Sequence, residues 1–188
     1  MQEILILGRG GQGAQTAGNL LARAFFAEGK FVQTFATYGG ARRGTPVSAS
    51  LRVSARPIRL RSNISRANAL LCFDDSLLDR NFLALAARDA VVLVNSAAPP
   101  ERFARLAQVM DGGRILPLDG RAIARRNEMG KVVNSALIGG LAAVLQAPDL
   151  EGLASVIKAT APARTAENIA ACREAYGLVR AEMAEVAA

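Results

Sequence analysis

The stretch Ile4-Leu5-Ile6-Leu7, followed directly by Gly8-Arg9-Gly10-Gly11-Gln12-Gly13, decides the fold class of this chain of 188 residues. The apolar run predicts a buried strand, and the residues from Ala14 onward predict a helix, so the glycines form the turn between them. Four glycines in six positions permit positive φ and let the backbone approach a ligand closely. Because a helix N-terminus carries partial positive charge, this turn predicts a site for a phosphate or pyrophosphate.

The glycine spacing also fits the dinucleotide-binding fingerprint, and three interpretations of the turn stay open. The second strand, predicted over residues 31–37, ends without the Asp or Glu that would bind the ribose of NAD. NADP remains an alternative, because Arg42 and Arg43 follow that strand and suit a 2′-phosphate. A turn that only lets a helix pack tightly on a sheet is a third possibility. A P-loop is excluded, since no Lys-Ser or Lys-Thr follows the glycines.

The composition is that of an ordinary folded domain, with 51% apolar and 21% charged residues. The length predicts one domain over residues 1–188. The longest strongly apolar run, residues 136–145, is too short to span a bilayer, and the N-terminal residues do not resemble an export signal. We therefore expect a soluble, cytoplasmic protein with no membrane partner.

The chain contains no histidine and two cysteines, Cys72 and Cys172. The missing histidine excludes acid–base catalysis and metal ligation by that residue. The two cysteines have neither metal-ligand spacing nor a disulfide pattern, so we expect buried thiols. Redox or covalent chemistry would then depend on a cofactor or on another chain.

A net charge of +7, carried largely by arginine, predicts an anionic partner. Nucleic acid is the first candidate, but aromatic residues make up only 5% and no basic helix or stacking platform is evident. We expect no nucleic-acid binding, and instead an acidic small ligand or an acidic partner subunit.

Strand and helix patterns alternate through the first two thirds of the chain. The predicted strands are 4–7, 31–37, 47–54, 70–73, 90–94 and 114–118, and the predicted helices are 14–28, the segment after Asp75 through Ala87, and 100–109. This order predicts an α/β fold with a mainly parallel, Rossmann-like sheet and helices on both faces. The glycine turn, residues 38–46 and Asp74-Asp75 all follow predicted strands, so we expect them to share one rim.

A hairpin-like excursion is predicted where the alternation of residues 47–54 resumes at residues 58–61. Its polar side would carry Arg52, Arg59 and Arg61, either as a solvated face or as a docking surface for anions.

The last third of the chain is predicted to be helical. Asn134 is the predicted cap of a helix over 135–146, and Asp149 that of a helix over 150–159. In the final helix a stripe with a spacing of three or four residues predicts a core or a subunit seam. The stripe comprises Ile169, Cys172, Tyr176, Val179 and Met183.

Three motifs in a fixed order resemble the gamma subunit of 2-oxoacid:acceptor oxidoreductases, above all the pyruvate:ferredoxin and 2-ketoisovalerate:ferredoxin types. They are Gly8-Arg9-Gly10-Gly11-Gln12-Gly13 with Thr16-Ala17-Gly18, Tyr38-Gly39-Gly40-Ala41-Arg42-Arg43-Gly44-Thr45-Pro46-Val47, and Pro57-Ile58-Arg59-Leu60-Arg61-Ser62. The resemblance is dense from about Ile4 to Asp74. Farther on it depends on Asn134, Gly139-Gly140 and Glu167-Asn168-Ile169.

The resemblance implies a non-autonomous subunit of an enzyme that converts a 2-oxo acid and coenzyme A into acyl-CoA, CO2 and two electrons. In such enzymes thiamine diphosphate and Mg lie on alpha and beta subunits, and 4Fe–4S clusters lie on a ferredoxin-like delta subunit. The gamma subunit is expected to help enclose the active site and to help bind coenzyme A. The 2-oxo acid (pyruvate, branched-chain or aromatic, such as phenylglyoxylate) and the acceptor (ferredoxin or NAD) stay open.

No catalytic residue and no metal ligand are expected on this chain, only cofactor-binding groups. The expected backbone cradle is formed by Gly8, Gly10, Gly11 and Gly13. The expected side-chain contacts to phosphates or to partner carboxylates come from Arg9, Gln12, Tyr38, Arg42 and Arg43. Two other functions remain as alternatives, a self-sufficient NADP-binding reductase and a nucleotide-binding regulatory module.

Overall fold

The computed structural model describes residues 1–38 and 44–187, with Tyr38, Val186 and Ala187 described by backbone alone. The strands are β1 (Gln2–Arg9), β2 (Phe31–Tyr38), β3 (Pro46–Ser54), β4 (Ala67–Cys72), β5 (Ala86–Asn95) and β6 (Arg114–Leu118). The helices are α1 (Ala14–Ala27), α2 (Arg80–Leu83), α3 (Ala104–Ala107), α4 (Gly120–Arg126), α5 (Asn134–Leu145), α6 (Leu150–Thr160) and α7 (Thr165–Ala187). Two short 3-10 helices cover Asp75–Leu77 and Pro100–Phe103.

The six strands form one mixed sheet in the order β2-β3-β1-β4-β5-β6. Strand β3 is antiparallel to both of its neighbours, and the pairs from β1 through β6 on the other side are parallel. The predicted α/β class with a mainly parallel sheet is thereby confirmed. The sequence does not predict the position of β3, which lies between β2 and β1. Strands β2 and β1 are therefore separated by two interstrand spacings, roughly 10 Å.

The hairpin is formed by β2 and β3, and the predicted strand over residues 58–61 is wrong, because those residues form no strand. The prediction that Arg52 lies on an open polar face is also wrong, because this residue is only 1% exposed. Its direct cross-strand neighbours explain the burial, since Glu3 stands opposite on β1 and Gln33 opposite on β2. Arg52 Nε donates to Glu3 Oε1 at 2.7 Å, and its guanidinium also lies 5.7 Å from the ring centre of Phe35.

Helices pack on both faces of the sheet, as predicted. The long helices α1, α5, α6 and α7 bury one apolar cluster, and the short elements between β4 and β6 bury a second on the other face. The predicted helix through Ala87 is wrong. Its segment contains a 3-10 turn and the four-residue α2, and β5 begins at Ala86. A separate helix, α2, begins after Asp79, because the Asp79 carboxylate caps it by accepting from the N–H of Phe82 at 2.8 Å. The predicted helix over 100–109 is likewise split into a 3-10 turn and α3.

The C-terminal helices are confirmed in number and near their predicted positions. Asp149 caps α6 as predicted, accepting from the N–H groups of Glu151 and Gly152 at 3.1 Å. The predicted stripe of α7 packs into the core, where Cys172 and Val179 are buried. Helices α5 and α7 approach very closely, since a Cβ placed on Gly139 would lie 2.1 Å from the carbonyl oxygen of Cys172.

Both cysteines are buried free thiols, as the sequence predicts. Burial is the main cause that raises the pKa of Cys72 and of Cys172 to about 12. Across the described ranges 1–38 and 44–187, none of the helices has the length and apolar character needed to cross a membrane.

Candidate functional site

The glycine turn connects the carboxyl end of β1 to the start of α1. Strand β1 continues through Arg9, so Gly8 is a strand residue and the turn proper covers residues 10–13. Gly11 and Gly13 both have φ of +95°, a conformation that side-chain-bearing residues rarely adopt. Among the described residues no side chain caps α1, so the first-turn N–H groups of this 14-residue helix face the turn.

A polar network fastens this turn to the end of β4. Arg9 Nε donates to Asp74 Oδ2 at 2.9 Å, and its terminal nitrogens donate to Ser76 Oγ at 2.9 Å and to the Gly44 carbonyl at 3.1 Å. Gln12 accepts from the Arg9 N–H at 2.7 Å and donates to Asp74 Oδ2 at 3.2 Å. The turn is therefore held rigidly by its own polar side chains.

The pKa of Asp74 reflects the same contacts. Burial by itself raises the pKa of this carboxyl, but hydrogen bonds from Ser76, Arg9 and Gln12 outweigh it. The net result lowers the pKa of Asp74 from 3.8 to about 2. Asp74 is consequently ionised under all physiological conditions and balances the charge of Arg9.

The predicted shared rim is present in the structure. Asp74 contacts the glycine turn directly, and the Gly10 N–H donates to the Thr45 carbonyl at 2.9 Å, which brings the start of β3 alongside. Arg42 and Arg43 lie outside the described residues, and Tyr38 is described only as the last residue of β2. As ligand contacts, all the predicted side chains stay predictions.

Asn134 connects the glycine turn to α5. The sequence predicts this residue as a helix cap, but it is the first residue of α5 and its side chain caps nothing. Instead Asn134 Nδ2 donates to the Gly13 carbonyl at 2.7 Å, across 121 positions of sequence. Its Oδ1 is buried and has no hydrogen-bond partner within the part of the chain that the structure describes. The link places the start of α5 beside the start of α1.

A cavity of about 590 Å³ opens where these two helices begin. Its apolar side includes Leu20, Phe73 and Ile157. Its cationic side chains are Arg121 and Lys131, and neither makes an ion pair within the described residues. Because no described side chain caps α5 either, two helix N-termini with partial positive charge meet at the same cavity. The arrangement suits a ligand with an anionic end and an apolar end.

The sequence analysis did not propose Arg121, Lys131 and Asn134 as site residues. Arg121 lies in the first turn of α4, close after the carboxyl end of β6, so the rule that ligands bind at the carboxyl ends of strands could have indicated it. Asn134 belongs to the residues that carry the resemblance, but its position before an apolar run predicts a helix cap. Lys131 lies in a loop with no pattern of its own, and only the fold brings it to the glycine turn.

Comparison with known proteins identifies the family. The model of the pyruvate ferredoxin/flavodoxin oxidoreductase family matches residues 3–178. The chain is 35% identical over 178 residues to the common subunit gamma of the pyruvate/ketoisovalerate oxidoreductases of Pyrococcus furiosus, covering 94% of this chain and 96% of that protein.

Solved structures of related proteins have the same fold as this chain. Subunit PORC of pyruvate oxidoreductase from Thermotoga maritima superposes with a TM-score of 0.81 at 27% identity, over 94% of this chain and 95% of that one. The 2-oxoglutarate:ferredoxin oxidoreductase of Magnetococcus marinus, whose structure has 2-oxoglutarate, coenzyme A and succinyl-CoA bound, shares the fold with a TM-score of 0.75 at 17% identity. The match covers 96% of this chain and 31% of that longer chain. The predicted resemblance is thus confirmed: the chain belongs to the pyruvate ferredoxin/flavodoxin oxidoreductase family and is of its gamma-subunit type.

Proposed function

We propose that this chain binds coenzyme A in the cavity between α1 and α5, within a complex that oxidises a 2-oxo acid to acyl-CoA and CO2. The single observation that carries this proposal is the convergence of two helix N-termini on one cavity, joined by the Asn134–Gly13 hydrogen bond. The pyrophosphate of coenzyme A would lie against the glycine turn, and its 3′-phosphate near Arg121 and Lys131. The apolar wall would take the pantetheine chain.

The remaining chemistry belongs, in this proposal, to partner subunits. The described residues contain no group of three or more His, Cys, Asp or Glu side chains placed to hold a metal. The two cysteines of the chain lie apart, in β4 and in α7, and both are buried. Thiamine diphosphate, Mg and 4Fe–4S clusters would accordingly be held by alpha, beta and delta subunits in the cytoplasm. This chain would bind and orient the thiol carrier and help exclude water.

The fold also bears on the NADP alternative. A dinucleotide-binding domain recognises the ribose at the end of the strand that neighbours β1. Here that neighbour is β3, which runs in the opposite direction, and β2 lies one strand farther away. The coenzyme A proposal does not need a ribose contact at β2, so the inserted strand favours it.

Steady-state kinetics of the assembled complex with Arg121→Ala and Lys131→Ala test the proposal. Loss of a charge-assisted hydrogen bond is expected to raise the KM for coenzyme A about tenfold or more, with the KM for the 2-oxo acid unchanged. Arg88→Ala and Lys158→Ala are matched controls, because both residues are exposed and lie outside the cavity. Calorimetric titration of the isolated chain with NADPH tests the alternative of an NADP-binding reductase. An unchanged KM for coenzyme A in both variants would refute the proposed site, and tight NADPH binding to the chain by itself would favour the reductase alternative.

A further inference from the structure

A second apolar surface lies at the opposite end of the sheet from the glycine turn. It is a groove of about 340 Å³ whose lining includes Phe26 from the end of α1 and Phe31 from the start of β2. Phe31 is separated from the rim of the glycine turn by the length of an eight-residue strand, roughly 25 Å. A ligand in the cavity between α1 and α5 would not reach it, so this groove needs its own explanation.

The groove exposes aromatic side chains that folded chains normally bury. Phe26 is 74% exposed and Phe31 46%, and Leu60 beside them is 47% exposed. Gln33 Nε2 donates to the Leu60 carbonyl at 2.9 Å, which holds the segment after β3 against β2. Exposed apolar residues that cluster in one place mark interaction sites, whereas single ones do not.

The rim of the groove is cationic. Arg56, Arg59 and Arg61 are exposed, and none of them makes an ion pair within the described residues, while Arg61 also lines the groove. The buried Arg52 nearby is already paired with Glu3, so its charge is not available. Arg56 and Arg59 flank the lining residues Pro57 and Ile58 in sequence, so the groove has unpaired arginines beside it. Such a groove is complementary to an apolar side chain flanked by carboxylates.

The groove also opens to the edge of the sheet. Strand β2 is the outermost strand and pairs only with β3 among the described strands. Three consecutive residues of β2, Phe31, Val32 and Gln33, line the groove. Because successive side chains of a strand point to opposite faces, a groove touched by all three must follow the strand edge itself. The outer edge of a sheet is a common place for another chain to dock.

We infer that this groove is the docking surface for an acidic segment of a partner subunit, with one apolar side chain seated between Phe26 and Phe31. The chain belongs to a family of subunits, and its net charge of +7 favours an acidic partner. A second copy of this chain fits poorly, because a symmetric contact would bring the same three arginines together. The groove therefore serves assembly, separately from coenzyme A binding.

The test is recovery of partner subunits on the tagged chain from the assembled complex. Phe26→Glu and the double variant Arg59→Glu/Arg61→Glu are each expected to reduce that recovery about tenfold, and the wild-type complex is expected to weaken as salt rises. Leu178→Glu and Arg88→Glu are the matched controls, since Leu178 is 48% exposed on α7 and Arg88 is an exposed residue near the start of β5. Thermal unfolding verifies that each variant is folded. If Phe26→Glu does not fold, the double variant Arg59→Glu/Arg61→Glu is used for the test.

Three results would overturn the inference. The first is that both groove variants recover as much of the partner subunits as the wild type does. The second is that the control variants lose as much recovery as the groove variants do. The third is an intact complex in which the groove variants abolish either self-association or binding to vesicles of anionic lipid, which would assign the surface to a second copy or to a membrane. None of these results changes the KM for coenzyme A, so the docking surface and the proposed function fail separately.

Discussion

Asn134 and Asn95 offer a matched pair for measuring how the cavity between α1 and α5 is built into the fold. Both asparagines are buried, with 9% and 8% exposure. Asn95 uses both ends of its amide, donating to the Phe73 carbonyl at 3.0 Å and accepting from the Gly120 N–H at 3.1 Å. Asn134 uses only Nδ2, and its buried Oδ1 has no partner among the described residues. We predict that alanine is clearly destabilising at Asn95 and is tolerated at Asn134.

The magnitudes follow from counting polar groups left without partners. Asn95→Ala removes the described partner of the Phe73 carbonyl and of the Gly120 N–H, at about 1–3 kcal/mol each, so we expect a loss of about 2–6 kcal/mol. Asn134→Ala removes one hydrogen bond, worth about 0.5–1.5 kcal/mol, but the Gly13 carbonyl still accepts from the Ala17 N–H. It also removes an unpaired buried oxygen whose burial costs about 1–3 kcal/mol. The expected net change for Asn134→Ala therefore lies between a loss of about 0.5 kcal/mol and a gain of about 2.5 kcal/mol.

Urea denaturation followed by circular dichroism measures both free energies of unfolding, since the chain has no tryptophan for fluorescence. The kinetic counterpart is a raised KM for coenzyme A in Asn134→Ala. If Asn134→Ala destabilises the protein as much as Asn95→Ala does, the oxygen has a structural partner. The expectation that Asn134→Ala is tolerated is then refuted.

Three further predictions concern residues outside the cavity, and one concerns the rim. Arg52→Ala is expected to cost about 3–5 kcal/mol in chemical denaturation because it breaks a largely buried ion pair, whereas Arg52→Met should recover part of that loss. The lowered pKa of Asp74 contributes stability that is fully present above pH 3.8 and is lost as the pH falls through about 2, so in acid titrations Asp74→Asn should flatten this part of the stability curve. Because burial raises the pKa of Cys72 and Cys172 to about 12, neither should react with a thiol reagent at pH 8 until urea unfolds the chain. Gly139→Ala should lower the Tm strongly, since its Cβ would meet a carbonyl of α7 at 2.1 Å, and an unchanged Tm would show that the two helices separate easily.

The sequence predicts those parts of the fold that are encoded locally. The apolar run before the glycines, the helix after them and the cap of α6 each depend on neighbours a few residues apart, and all three are found in the structure. The insertion of β3 between β1 and β2 depends on pairing between distant segments, and alternation within β3 contains no information about its partners. Arg52 shows the consequence. Its alternation was recognised correctly, but its burial is set by Glu3 and Gln33 on the two strands beside it.

The candidate site also has a part that the sequence predicts and a part that only the fold brings together. The glycine turn was predicted because its residues are consecutive, and its conformation is unusual enough to leave a sequence signal. Arg9 and Gln12 belong to the same motif, yet their side chains bind Asp74, which only the pairing of β1 with β4 brings near. Lys131 and Asn134 come from the far end of the chain. A motif therefore located the cavity but could not supply its opposite wall.

The inserted strand also determines the direction in which a ligand can extend from the glycine turn. In a dinucleotide-binding domain the ligand crosses from β1 toward its parallel neighbour, where an acidic residue holds the ribose. Here the neighbour on that side is the antiparallel β3, while β4, β5 and β6 present their carboxyl ends on the other side. The cavity lies toward that second side, since Phe73, Asn95 and Arg121 lie at or just beyond the carboxyl ends of those strands and all line it. A phosphate gripped at the glycines would thus direct the rest of the molecule along α5, away from β2. This geometry favours a long carrier with several phosphates at one end over a nicotinamide dinucleotide, and it explains why the absence of an acid at the end of β2 costs the site nothing.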